Sequence, residues 1–215
     1  SRGVSVKFDW LLDGSSASHD IEVGFRYHED QEDRLQRSDK YTQIDQTLIL
    51  DSIGVTGGNK NNRVVQAEAL AIYIKDDIAF GDFIVTPGVR FEDIKLERRD
   101  WSTLPRNTTP SLKQNSVTAV LPSIGVLYNV NDNLSLLAGA YNGFGTPTTT
   151  SGVEEEQALN VELGGRYQQA DLMIELIAFT SDYENLVGEC TASSSTSDCD
   201  IGDQFNGGQA TVRGL

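Results

Sequence analysis

The chain has 215 residues, a formal net charge of -15 and a sequence pI near 4.4, which argues against nucleic acid as a partner because a phosphate-binding surface needs a basic excess. Apolar residues make up 38%, low for a closed globular core, yet 8 Phe, 7 Tyr and 2 Trp with long β-branched runs exceed what a disordered chain carries. No stretch approaches roughly 18 uninterrupted apolar residues, so the sequence holds no transmembrane helix.

In chain order, Ser1-Arg2-Gly3-Val4 begins directly in a strand-like pattern, with no initiator Met or signal peptide. Residues 20–28 alternate, with Ile21, Val23, Phe25 and Tyr27 on one face and Asp20, Glu22, Gly24, Arg26 and His28 on the other. Residues 64–80 form a long strand-like stretch whose faces do not separate. Residues 83–92 set Phe83, Val85, Val89 and Phe91 against Thr86, Gly88, Arg90 and Glu92. Residues 117–128 place Val120, Pro122, Ile124, Val126 and Tyr128 on an apolar face. In 159–167, Leu159, Val161, Leu163 and Tyr167 oppose Asn160, Glu162, Gly164 and Arg166, and 172–180 is apolar except for Glu175. The pattern stops abruptly at Ala210-Thr211-Val212-Arg213-Gly214-Leu215, so both ends are expected to be cuts through a larger protein.

The connections alternate in length. Short links are expected at 13–18, 80–82, 129–133 and 168–171, and long polar links at 30–62, 99–116, 143–156 and 184–208. A soluble sandwich has no reason to keep its long loops at one end, whereas an outer-membrane barrel has short periplasmic turns, long extracellular loops, and strands apolar outside and polar inside. The expected fold is all-β, an antiparallel transmembrane β-barrel fragment of about nine strands. The competing fold is a soluble all-β domain such as a jelly roll or lectin.

Cys190 and Cys199 lie in a Ser/Thr/Asp-rich stretch without metal-site spacing. A disulfide closing a polar loop outside the cytoplasm is the favoured reading, with two unpaired thiols as the alternative. Asp198, Asp200 and Asp203 could offer oxygens to calcium, but a solvated acidic loop is favoured and no metal is expected. His19 and His28 lie toward opposite ends of one strand with no nucleophile motif nearby, so no enzyme is expected.

Several segments resemble one family. Glu156-Gln157-Ala158-Leu159-Asn160-Val161-Glu162-Leu163-Gly164 resembles the P-E-x-S-x-N-Y-E-x-G strand of TonB-dependent receptors, departing at Glu155 (often Pro) and Val161 (often Tyr). Ala178-Phe179-Thr180-Ser181-Asp182-Tyr183-Glu184-Asn185 and Asn206-Gly207-Gly208-Gln209-Ala210 are similar to the two strands that follow. Upstream, Tyr73-Ile74-Lys75-Asp76, Thr86-Pro87-Gly88-Val89-Arg90, Leu121-Pro122-Ser123 and Tyr141-Asn142-Gly143-Phe144 fall in family order. Residues 19–28 resemble the ferric-dicitrate branch.

The resemblance implies a siderophore receptor of about 22 strands around a plugged lumen. This chain would be a middle-to-late part of the barrel, without the plug domain and the closing strand, and with two open edges. Such a fragment is expected neither to fold stably nor to transport by itself. The whole protein would lie in the outer membrane of a Gram-negative bacterium and use no cofactor. Its partners would be a ferric siderophore or ferric citrate, TonB through the plug region, and outer-membrane lipid and lipopolysaccharide. A passive porin remains an alternative.

Ligand contact is expected from the stretch 95–113, where Lys95, Arg98, Arg99, Arg106 and Lys113 face only Glu97 and Asp100, a local excess of +3 beside Trp101. Arginine forks suit an anionic ferric chelate, and lipopolysaccharide contact or solvated charge is the alternative. Arg34 and Arg37 are weaker candidates because Asp30, Glu32, Asp33 and Asp39 neutralise them. Arg26, Arg90, Arg166, Glu22, Glu92 and Glu162 are expected to form charge ladders along the lumen.

Overall fold

A β-strand presents alternate side chains to opposite faces and leaves its N–H and C=O groups to be satisfied by neighbours. A computed structural model of the chain, describing residues 1–54, 60–102, 104–147, 149–191 and 204–215, shows how these strands do so. Its strands are β1 (Arg2–Asp13), β2 (Ser18–Gln36), β3 (Lys40–Ile44), β4 (Thr47–Ser52), β5 (Asn61–Phe80), β6 (Phe83–Asp100), β7 (Ser111–Asn131), β8 (Leu134–Gly145), β9 (Glu156–Gln169), β10 (Leu172–Glu189) and β11 (Gln204–Gly214). No helix occurs among the described residues. Nine strands form one antiparallel sheet in the order β1-β2-β5-β6-β7-β8-β9-β10-β11, and β3-β4 is a separate hairpin.

The sheet is a meander in which each strand pairs with the next along the chain, the β3-β4 hairpin being set aside between β2 and β5. The short links are residues 14–17, 81–82, 132–133 and 170–171, as the sequence predicts. Gly81 sits at φ 55° in one of these turns, a backbone region open to glycine at no steric cost.

The long links are shorter than expected, because strands run past the apolar alternation. β2 continues to Gln36, β6 to Asp100 and β10 to Glu189, while β7 begins at Ser111 and the link 30–62 contains the β3-β4 hairpin. The cause is physical. Above the lipid no face needs to be apolar, but backbone groups still pair, so the strand continues through residues that read as loop.

Register sorts every side chain into rows that cross the sheet. Phe8, Val23, Ile74, Val89 and Pro122 form one outward row, and Val6, Phe25, Ile72, Phe91 and Val120 form the next. The corresponding inward rows are Lys7, Gly24, Tyr73, Arg90 and Leu121, then Ser5, Arg26, Ala71, Glu92 and Ala119. The outward apolar stretch covers residues 83–91 of β6, 120–128 of β7 and 159–167 of β9, the 9–11 or so residues that carry a tilted strand across the hydrocarbon. At the short-turn end, stacked Phe80, Phe83 and Tyr128 (4.5 and 5.8 Å between ring centroids) and the Phe8–Trp10 stack form an aromatic girdle.

No large side chain is fully buried among the described residues, and outward residues such as Leu163 (64% exposed) have no protein cover. A contiguous apolar surface of this kind marks a membrane-facing sheet. A buried apolar cluster lies on the inward face, where Ala69, Ile94 and Val117 pack with Leu96 and Phe144. Phe144 reaches it because β8 pairs with β7 only up to Tyr141 opposite Ser123. Beyond that point the link 146–155 turns onto the sheet, burying Thr149 and Val153, and Asn115 Nδ2 donates to Val153 O at 2.9 Å.

Gly24 also serves packing. A Cβ there would meet the Tyr73 ring at 2.1 Å, so the ring lies directly over the backbone and its hydroxyl donates to Glu22 Oε1 at 2.6 Å.

Val89→Arg, placed mid-row on the outward face, is predicted to destabilise the full-length receptor by about 2–4 kcal/mol in bilayers. Thr86→Lys, inward on the same strand, should cost far less. Urea titration of protein refolded into lipid vesicles measures both.

Candidate anion-binding site

The strand extensions above the apolar band carry the basic residues, and register determines how they meet. On the inner face Arg34 of β2 stands opposite Arg63 of β5. One row lower, Arg98 of β6 stands between Val65 and Lys113 of β7. Four cations on four adjacent strands therefore share one face within two rows.

Two carboxylates accompany them. Glu32 Oε1 lies 3.2 Å from Arg34 Nε, and Asp100 Oδ1 accepts from Arg98 Nε and Nη2 at 3.0 and 2.7 Å. Arg63 has no such partner among the described residues, and its Nε is shielded from solvent and makes no hydrogen bond there. Burial, with the positive charges of Arg98 and Arg34, pulls its pKa below the usual arginine value. A guanidinium does not deprotonate in proteins, so Arg63 stays charged, with Glu32 and Asp100 as opposing charges nearby. Like charges placed opposite each other weaken a sheet, and a bridging carboxylate would reverse that cost while satisfying the forks bidentately.

Arg99, Trp101 and Arg106 lie elsewhere. Arg99 shares the outer face with Val64 and Leu112 and pairs with Glu97 at 2.5 Å. Arg106 donates from Nε to Asn62 Oδ1 at 2.7 Å, and its Nη2 is 2.8 Å from Asp33 Oδ1. Its guanidinium covers the Trp101 ring at 4.9 Å. Asp33 and Asn62 belong to outward positions, so Arg106 and Trp101 fasten the link 101–110 to the outer side of β2 and β5. The Arg106 hydrogen bond holds the Asp33 carboxyl below the usual aspartate range. Arg37, beyond β2, lies 3.7 Å from Asp39 Oδ1 beside the β3-β4 hairpin.

Farther down the inner face the charges neutralise one another. Lys7 Nζ is 2.6 Å from Glu22 Oε2 and 3.3 Å from Asp9 Oδ1. Lys75 bonds Asp77, Arg90 pairs with Glu92, and Arg166 Nε meets Glu175 Oε2 at 2.5 Å. Glu162 accepts from the Tyr141 hydroxyl at 3.3 Å. Of the two histidines, His28 faces inward, whereas His19 Nδ1 meets Asp76 Oδ2 at 2.7 Å on the outward face.

A meander with a lipid-type outer face and a charged inner face is the architecture of outer-membrane barrels in general, and the family comes from a direct match. The family model described as "TonB dependent receptor-like, beta-barrel" matches residues 2–215. The chain belongs to this family.

Among solved structures, the unliganded ferric citrate transporter FecA is 26% identical, with a TM-score of 0.68 over 85% of this chain and 27% of that chain. The ferric-catecholate import receptor Fiu from E. coli K12 (16% identity, TM-score 0.68, 97% of this chain and 33% of that one) shares the fold. So does the siderophore receptor PiuA from Acinetobacter baumannii (14%, 0.70, 97% and 34%). The chain thus spans about a third of the length of the receptors it matches. Family membership replaces both the soluble β-module and the passive porin as readings of this sheet.

In this receptor barrel, sequence reasoning missed Arg63. It precedes the apolar run of β5 and reads as a loop charge, and only its register opposite Arg34 brings it into the ladder. Cys190 is buried just beyond β10. Cys199, Asp198, Asp200 and Asp203 lie outside the described residues.

The Asp33 carboxylate, being held low, contributes its tether above the ordinary aspartate value of about 3.9. That contribution is lost as pH falls through the lowered value. Limited proteolysis of the full-length receptor should therefore show the link 101–110 protected at neutral pH and released only in strong acid. Arg106→Gln should release it several-fold faster at pH 7, and equal cleavage would remove the tether from the account.

Proposed function

We propose that this barrel section belongs to an outer-membrane receptor for an anionic ferric chelate, either a ferric siderophore or ferric citrate. Release into the periplasm would be energised through TonB acting on a plug domain. The inward cations Arg34, Arg63, Arg98 and Lys113 supply the barrel's share of ligand contact. The observation that carries this reading is the unpartnered, shielded Arg63 Nε amid Arg34 and Arg98. The likeness to the ferric citrate transporter, at 26% identity, favours a carboxylate chelate.

The chemistry is binding, with no covalent step. A chelate carboxylate would displace Glu32 and Asp100 from part of their hold on Arg34 and Arg98 and reach Arg63, which has nothing to exchange. When the chelate leaves, the two acids return to their arginines. Release therefore exposes fewer bare cations than a purely basic patch would, which keeps binding reversible. Arg99, Trp101 and Arg106, on the outer side above the apolar band, are placed for lipopolysaccharide or for holding the link. The Cys190–Cys199 disulfide would brace the link after β10.

Arg63→Gln, Arg34→Gln and Arg98→Gln in the full-length receptor should each weaken chelate binding about 10- to 100-fold, the equivalent of a charged hydrogen bond of roughly 1.5–3 kcal/mol. Arg99→Gln and Arg106→Gln should change it less than about threefold. Equilibrium binding of ⁵⁵Fe chelates measures this, and the reverse ranking would move the ligand to the outer group. For the disulfide, thiol alkylation without reductant should leave the receptor's mass unchanged, and labelling of both cysteines would refute the bond.

A further inference from the structure

Below the ladder, the inner wall holds a cavity of about 250 Å³ that the chelate reading does not use. Its polar edge is Arg26, His28, Arg90 and Glu92, and Phe144 and Thr146 close it from the side of the link that turns inward. Arg26 lies eight residues from Arg34 along β2, which at 3.3–3.4 Å per residue is about 27 Å. Arg26 therefore lies well below the ladder, while Leu96, two residues from Arg98 on β6, marks the cavity's upper edge.

The cations around this cavity are not equivalent. Arg90 is committed to Glu92, and its guanidinium lies 5.8 Å from the Tyr73 ring centroid. Glu92, itself buried, spends its charge on Arg90 and presents little repulsion to an incoming anion. Arg26 makes no ion pair or hydrogen bond among the described residues and stands between the uncharged Ser5 and Ala71 across the sheet. His28 Nε2 is 3.5 Å from Asp30 Oδ2, while its Nδ1 is shielded and unpartnered. An open arginine fork and an orphaned imidazole nitrogen thus border one cavity.

The remaining lining is apolar. Ala69 and Ile94 form the floor, and Leu96 and Phe144 stand beside it. A fully hydrated inorganic anion would leave these surfaces uncovered, whereas a carboxylate with a hydrocarbon or ring flank satisfies both halves.

We propose that this cavity is a second anion station, binding a small organic monocarboxylate through Arg26 and His28 with its apolar flank against Phe144 and Leu96. The carboxylate arrives either as a free acid or as an uncoordinated arm of a chelate. The chemistry at the cavity is the same for both.

Benzoate is a suitable probe, measured by equilibrium dialysis against the full-length receptor in detergent, with heat-modifiable gel mobility confirming that each variant is folded. Wild type should bind benzoate, Arg26→Gln should weaken it tenfold or more, and Ala69→Leu, which fills the floor, should abolish it. Arg63→Gln should leave benzoate binding unchanged. If ferric citrate binding also falls in Arg26→Gln, the carboxylate arrives as a chelate arm, and if only benzoate falls, it arrives free. The proposal is overturned if benzoate does not bind, or if Arg26→Gln and Ala69→Leu bind it as wild type does. It is overturned equally if Arg63→Gln loses benzoate as severely as Arg26→Gln, since the acid would then sit on the ladder. Loss of chelate binding in Arg63→Gln with unaltered benzoate binding in both cavity variants would sink this station and leave the ladder standing.

Discussion

At membrane depth a backbone amide has no water to bond, so each strand depends on the next for every N–H and C=O it carries. The nine-stranded meander follows from that dependence. Pairing also locks register, and register assigns each side chain to lipid or lumen. The outward Val89 and the inward Arg90 are adjacent in sequence and differ in environment because β5 and β7 hold β6 in one alignment.

The same locking gathers charge. Arg34 and Arg63 are far apart in sequence and opposite in space, and Arg98 and Lys113 continue the row below. Such a ladder opposes its own sheet electrostatically, and it persists because Glu32 and Asp100 offset part of the repulsion while backbone pairing supplies the rest. Lower down, Lys7, Glu22, Lys75 and Asp77 form a wall with each charge answered by a neighbour.

Much of the fold was legible because lipid imposes alternation, and 83–92, 120–128 and 159–167 show it plainly. The faces of β5 were not legible, and the reason is specific. Its inward residues Ala67, Ala69 and Ala71 form part of the floor beneath Phe144, so both faces of the strand are apolar and no period appears. Strand ends were misjudged where the membrane stopped enforcing a pattern. The basic residues of 95–113 were visible as a cluster, but their division into inner Arg98 and Lys113 and outer Arg99, Trp101 and Arg106 depends on parity along the strand. Arg63 could not be chosen from sequence, since its significance is its partner across the sheet. The inward turn after β8 had no sequence signal, because it arises from β7 and β8 parting above Ser123.

Strand parity carries an evolutionary consequence. Losing one residue from the middle of β5 would exchange the faces of every position on one side of the change, for example setting Lys75 toward hydrocarbon and Ile72 toward water. Losing two would preserve the faces and shift only the rows. Indels within these strands are therefore tolerated in even steps, a constraint that parity does not place on the links between strands. Diversification of this barrel is channelled to the end that carries the long links.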